Sequence, residues 1–272
     1  MPKESFKQPI KKEPSIKAIK EMEKKLDKAE KMVEEVEERW KDKIEEFEMV
    51  EKSVKELKKL WEENEKKFDT KNKYEAFSFL SSLPLPEVSP SLLPEVSPSL
   101  LERISNKFLK ELKEFGRIEY LEYGLGLFLS VFLKKNIESY ISSQKEKGIK
   151  EEKIKPIEVH LKVKELPIPL DCLGWQNPKK LHLIIEGNCG LETGGEMRGG
   201  EIIIEGNCGN WTGLQMRGGK LDIKGEVESF DKSAFSPDNQ GTIILGRTKI
   251  WENGNWTEEG KEMWERGEIP VV

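Results

Sequence analysis

The stretch that decides the fold is LIIEGNCGLETGGEMRGG, residues 183–200, followed after one residue by IIIEGNCGNWTGLQMRGG, residues 202–219. The two units align without gaps at a spacing of nineteen residues. Gly187 matches Gly206 and then Gly225, Cys189 matches Cys208, and Arg198-Gly199-Gly200 matches Arg217-Gly218-Gly219. A third unit opens as LDIKG at 221–225 but reads AFSPDNQ where the Met-Arg-Gly-Gly turn should be. A fourth strand, TIILG at 242–246, follows after a two-residue insertion. A short strand and a glycine turn repeated at about twenty residues is the mark of a solenoid. One unit cannot bury its own apolar face, so successive units must stack.

Strand alternation assigns the faces. Leu183/Ile185, Ile202/Ile204, Leu221/Ile223 and Thr242/Ile244 are expected to point inward as ladders, with Met197, Met216 and Phe235 as a second interior stack. Each such side chain contributes about 1.5–3 kcal/mol on burial. The segment 157–170 supplies an opening strand through Val159, Leu161 and Val163. In the tail, Thr257, Glu258 and Glu259 suit a helix start and Gly267 a stop, giving a short helix over the open end.

The G-N-C-G…M-R-G-G-x-I/L-x-I-x-G repeats resemble the glycine-repeat (GXGXG) β-helix found in formylmethanofuran dehydrogenase, where it forms a separate chain, and in the C-terminal domain of the large glutamate synthase polypeptide. The resemblance covers about 157–250. It implies a right-handed parallel β-helix that positions other domains or subunits and holds no catalytic residue.

A different pattern fills the N-terminal half. Apolar residues recur every seven positions at Ile19, Leu26, Val33, Trp40, Phe47, Val54, Trp61 and Phe68, beside a second seam of Met22, Ala29, Val36, Val50 and Leu57. Lys43 and Asn64 interrupt that seam, and Ile44 covers part of the first gap. The remaining faces are Lys and Glu, and no Gly or Pro falls between Ser15 and Asn72. This predicts a long coiled-coil helix over 16–69 after a disordered tail, 1–15. Such a helix needs a partner. Trp40 and Trp61 are bulky for a tight two-stranded coil and suit a looser bundle, a partner contact, or packing on the second helical segment. Residues 85–92, LPEVSPSL, are repeated without change at 93–100. With five prolines the stretch 70–99 reads as an extended linker that packs against little. Helical spacing resumes over 100–147. Its most apolar run, YLEYGLGLFLSVFL at 120–133, is short for a membrane span and reads as a buried helix or oligomer contact, with shallow membrane association as the alternative.

The totals narrow the function classes. Lys+Arg number 46 against 51 Asp+Glu, a net charge of -5, which leaves no global basic footprint for nucleic acid. There is no run of about twenty apolar residues, no secretory leader, and no CxxC among three cysteines, so a cytoplasmic setting is expected. The Lys- and Glu-rich composition also fits a heat-adapted source.

No paired catalytic carboxylates, nucleophilic triad, P-loop or dinucleotide fingerprint stands out, and no cofactor is expected. Cys189 and Cys208 fit an inward corner as core thiols, with a metal or redox pair as the alternative, and Cys172 lies outside the register. His160 and His182, the only histidines, become neighbours if the opening rung stacks at an offset of twenty-two, which would make a two-histidine metal site. Arg198 and Arg217 occupy equivalent turns where an anion or acidic partner could sit. Asn188 and Asn207 are expected to form a structural ladder. The chain therefore reads as an α+β, non-enzymatic scaffold that self-associates as a homo-oligomer or binds a partner through 16–69 and 101–145. Beyond 250, a capping helix and tail complete it. An accessory subunit of an oxidoreductase or amidotransferase complex, and a weak metal or anion binder, are the alternatives.

Overall fold

A computed structural model describes residues 16–65, 72–88, 99–114 and 122–272. The predicted tail 1–15, Phe68 and most of the duplicated stretch lie outside the described residues. The chain is α+β and divides into two compact units, Met1–Glu48 and Met49–Val272. Its helices are α1 (Ile16–Asn64), α2 (Lys73–Ser82), α3 (Leu100–Glu114), α4 (Glu122–Glu146) and α5 (Glu258–Glu265). Its strands are β1 (Ile157–Lys162), β2 (Leu181–Glu186), β3 (Arg198–Ile204), β4 (Gly218–Ile223), β5 (Thr242–Leu245), β6 (Thr248–Glu252) and β7 (Asn255–Trp256). Among the described residues, no helix is long and apolar enough to cross a membrane.

The first unit is helical from Ile16, and its Met32, Val33, Val36 and Ile44 are exposed. In the second unit the same seven-residue stripe is buried through Val50, Val54, Leu57 and Trp61. Trp61 meets Phe128 edge to face at 5.4 Å, and Phe108 lies 5.6 Å from Phe128. Between Leu125 and Leu133, α4 is apolar on nearly every side because this stretch is central: Leu125 and the run from Leu127 to Leu129 are all buried. Within the 120–133 run, residues 124–133 are buried in the second unit, and 120 and 121 lie outside the described residues. Gly126 lets α4 approach the solenoid backbone. A Cβ there would lie 1.8 Å from the Asp171 carbonyl oxygen.

The expected linker is partly ordered. Asn72 caps α2 by accepting from the Glu75 amide at 3.0 Å while its own amide donates to the Glu75 carboxylate, and Ala76, Phe77 and Leu80 are buried. The described parts of the duplicated stretch are 85–88 in the first copy and 99–100 in the second. In the first, Leu85 and Val88 are buried, and the Val88 amide donates to Asn136 Oδ1 at 2.7 Å. In the second, Ser99 Oγ accepts from the Glu102 amide at the start of α3.

All seven strands form one sheet in chain order, with β1 to β5 parallel and β6 and β7 antiparallel. The parallel set is a β-solenoid. Leu183, Ile202, Leu221 and Ile243 share one inward column, and Ile185, Ile204, Ile223 and Leu245 the next. The fourth rung thus departs from expectation by one residue: Ile243 and Leu245 take the inward register, with Thr242 opposite Lys220. The intervening loop is one residue longer than the repeat alignment allows, and a one-residue slip exchanges the two faces of a strand. Ile243 is needed inside, where it is fully buried and pairs with the buried Trp251 of β6. Met197 and Met216 are buried as expected, and Phe235, half-buried, stacks on Trp256 at 4.3 Å.

The opening turn is a hidden copy of the repeat. Cys172, Gly174 and Gln176 have positive φ, as do Glu192, Gly194 and Glu196, and Trp211, Gly213 and Gln215. The Cys172 amide donates to the Leu191 carbonyl and the Gln176 amide to the Gly195 carbonyl, so Cys172 belongs to the stack. The hairpin β6–β7 lies beyond what the repeat alignment predicts. It turns at Asn253 and Gly254, both left-handed, the dipeptide that favours a tight hairpin.

Candidate functional site

The outer face of the sheet carries the charged side chains. In register across β1 to β4 run Glu158, His182, Glu201 and Lys220. Lys220 Nζ lies 2.6 Å from Glu201, and the carboxylate of Asp222, buried on this face, is held by Lys224 at 2.7 Å and Lys220 at 3.5 Å. Glu201, the nearest acceptor, raises the Lys220 pKa. Acidic side chains thus alternate with His182 and Lys220 up the sheet, and Lys220 and Lys224 meet their carboxylate partners within it.

His160 and His182 do not meet as the two-histidine reading required. The opening rung stacks so that Glu158 opposes His182, while His160 opposes Ile184. Each imidazole faces carboxylates instead. His160 approaches Glu158 at 3.0 Å and Glu186 at 3.4 Å, and His182 lies 4.0 Å from Glu201. The hydrogen bond to Glu158 raises the His160 pKa, helped by Glu102 and Glu186 and opposed by partial burial. Among the described residues, no group of three or more His, Cys, Asp and Glu is arranged to hold a metal ion.

One corner of the solenoid forms a cleft of ≈ 580 Å³ whose wall includes Asp171, Asn188, Cys189, Asn207 and Cys208. The Asn207 amide donates to Asn188 Oδ1 at 2.9 Å, and the Glu226 amide to Asn207 Oδ1 at 2.9 Å. The asparagine side chains therefore tie rung to rung. Cys189 and Cys208 are buried between Leu170 and Val227 in one column. The hydrogen bond to Cys208, then burial, pushes the Cys189 thiol well up, so it stays protonated. Burial, reinforced by the Glu192 and Asp171 carboxylates, does the same to Cys172. Protonated, shielded thiols are poor nucleophiles and poor metal ligands.

Arg198 and Arg217 are both exposed. Arg198 lies 4.0 Å from Glu196, and Arg217 borders a separate cleft of ≈ 410 Å³ with Ser233, Ser236 and Asp238. Trp61 is buried within its own chain, so it offers no surface to a partner. The Trp40 side chain lies outside the described residues.

Two polar junctions escaped the sequence reading. Lys73 of α2 pairs with Glu192 at 2.5 Å, with its ammonium 5.1 Å from the buried Trp175 ring. Helix α3 satisfies the outer edge of β1. Ser99 Oγ donates to the Glu158 carbonyl, Glu102 accepts from the His160 amide, and Asn106 accepts from the Lys162 amide while donating to the His160 carbonyl. Ser99 just before α3, and Glu102 and Asn106 within it, fall at helical spacing, the single sequence signal that could have revealed them.

No family model matches the sequence, and no curated protein or solved structure is significantly similar to it.

Proposed function

We propose that this chain is a non-catalytic structural scaffold. The first unit associates through a coiled coil, and the right-handed β-solenoid serves as a rigid docking body, with α5 and the C-terminal residues covering its last rung. The observation that carries this reading is the divided fate of one stripe. Val50, Val54, Leu57 and Trp61 are buried in their own chain, whereas Val33, Val36 and Phe47, on the same seven-residue repeat, are exposed. A periodic apolar seam left in water is a contact surface. The apolar faces of α3 and α4 are already buried, so association falls to the first unit rather than to 101–145. Three free, buried thiols accord with a reducing compartment such as the cytoplasm. Light scattering on the full chain over a wide concentration range tests the reading. Association that rises with concentration is expected, and a strict monomer overturns it.

The stacked Gly-Asn-Cys-Gly corners favour a second reading, an accessory subunit of an oxidoreductase or amidotransferase complex, by their resemblance to the GXGXG β-helix. Co-purification of the native protein with a catalytic component of such a complex is the outcome that reading requires.

A further inference from the structure

The scaffold reading leaves the partner of the first unit open, and the charges beside its seam select one. With Val33 as heptad position a, Ala29 and Val36 are d, Lys25 and Met32 are g, and Glu30, Glu37 and Ile44 are e. All of these side chains are exposed. We propose that this helix pairs with the same residues of a second copy as a parallel, in-register, two-stranded coil. The inference rests on the scaffold reading and adds the partner's identity and direction.

The argument is one of charge. In a parallel coil, each g residue faces the e′ residue of the next heptad on the other strand. Lys25 then faces Glu30 of the second copy, and Met32 lays its apolar chain beside the stem of Glu37. Both contacts occur twice by symmetry. An antiparallel pair instead sets e beside e′ on one flank, where Glu30 confronts Glu37 of the second copy twice and the like charges destabilise the coil; only the other flank, g beside g′, pairs Lys25 with Glu46 when Val33 faces Val36. The basic member that the acidic e flank needs is Lys25, carried by the same chain. The seam also has a defined end. From Val50 onward the stripe is buried in its own chain, so the intermolecular coil stops where the second unit begins.

Single cysteines introduced into the full chain test the arrangement, because the native thiols are buried. Ala29→Cys and Val36→Cys stand at d positions seven residues apart, and Lys31→Cys on the outward f position is the control. In oxidised glutathione, a parallel in-register coil links both d variants to themselves. Covalent dimers of twice 31.4 kDa are then expected at both positions and not at Lys31. An antiparallel coil can link at most one of the two, which would overturn the direction while leaving self-association intact. A monomer by light scattering with neither variant linked would overturn both readings, and a mass above two chains would overturn the two-stranded form. Glu30→Lys gives an independent sign. It weakens a parallel dimer about fivefold, with recovery in Lys25→Glu/Glu30→Lys, whereas tighter association would refute the proposal.

Discussion

Gly206→Ala tests the stacking of the rungs directly. Gly206 lies in ordinary backbone conformation, so alanine meets no φ penalty there. The obstacle is the rung beneath. A Cβ would lie 2.4 Å from the Gly187 carbonyl oxygen and 2.5 Å from Asn188 Oδ1, both closer than any normal carbon–oxygen contact. Relief requires the two rungs to separate by more than half an ångström. That stretches the Asn207 amide bond to Asn188 Oδ1, now 2.9 Å, and the Glu205 amide bond to the Ile185 carbonyl, now 3.0 Å. Two weakened hydrogen bonds cost about 1 kcal/mol each, and the local strain of overpacking adds about 1–3 kcal/mol. A loss of about 3 kcal/mol is expected, large against the usual 5–15 kcal/mol of a folded domain. Urea unfolding followed by tryptophan fluorescence measures it. Gly148→Ala is the comparison, because Gly148 has φ +77 and nothing within 4 Å, so it costs about 1–2 kcal/mol from backbone strain alone. If Gly206→Ala proves no more harmful than Gly148→Ala, the rungs do not lie over one another as described.

Other outcomes follow from the same structure. Trp61→Ala should destabilise the second unit by about 3–5 kcal/mol in thermal or chemical unfolding, because it empties the contact with Phe128, whereas Val36→Ser should leave that unit's stability unchanged. Glu192→Gln should lower stability by about 3 kcal/mol through the unpaired Lys73, and Lys73→Met/Glu192→Leu should recover much of it. His160 is held above its ordinary pKa by Glu158, Glu186 and Glu102, so its contribution is complete below about pH 6.5 and fades as pH rises through the higher folded value. His160→Gln should flatten that part of the stability profile. Glu151 is depressed to about 2 by Lys145 and Lys179, so its contribution is present above the ordinary carboxylate range and disappears as pH falls toward 2, which carboxylate NMR titration can follow.

What the sequence made legible was whatever repeats. The two clean units predicted their columns and the buried methionines because identical spacing forces identical placement. Legibility failed where the number of residues between strands departed from the repeat. His160 and His182 seemed paired because an offset of twenty-two was assumed, but the opening turn takes twenty-four residues, so Val159 meets Leu183 and His160 lies opposite Ile184. The turn at 172–176 was hidden because Gly174 is its only residue that announces a left-handed backbone, while Cys172 and Gln176 adopt one through the ladder above them. The seam of α1 was visible along its whole length. Its transition from exposed to buried after residue 48 was not, since that depends on α3 and α4, far away in the chain. The α2 cap at Asn72 was masked by the prolines that follow it.

The junction between α3 and β1 has a consequence for assembly. A parallel sheet ordinarily ends in a row of unsatisfied amides and carbonyls that can recruit a strand from a neighbouring molecule. Here Ser99, Glu102 and Asn106 occupy that row and stand in for the absent strand. Copies of this protein therefore cannot grow into a fibre by continuing one another's coils from this side.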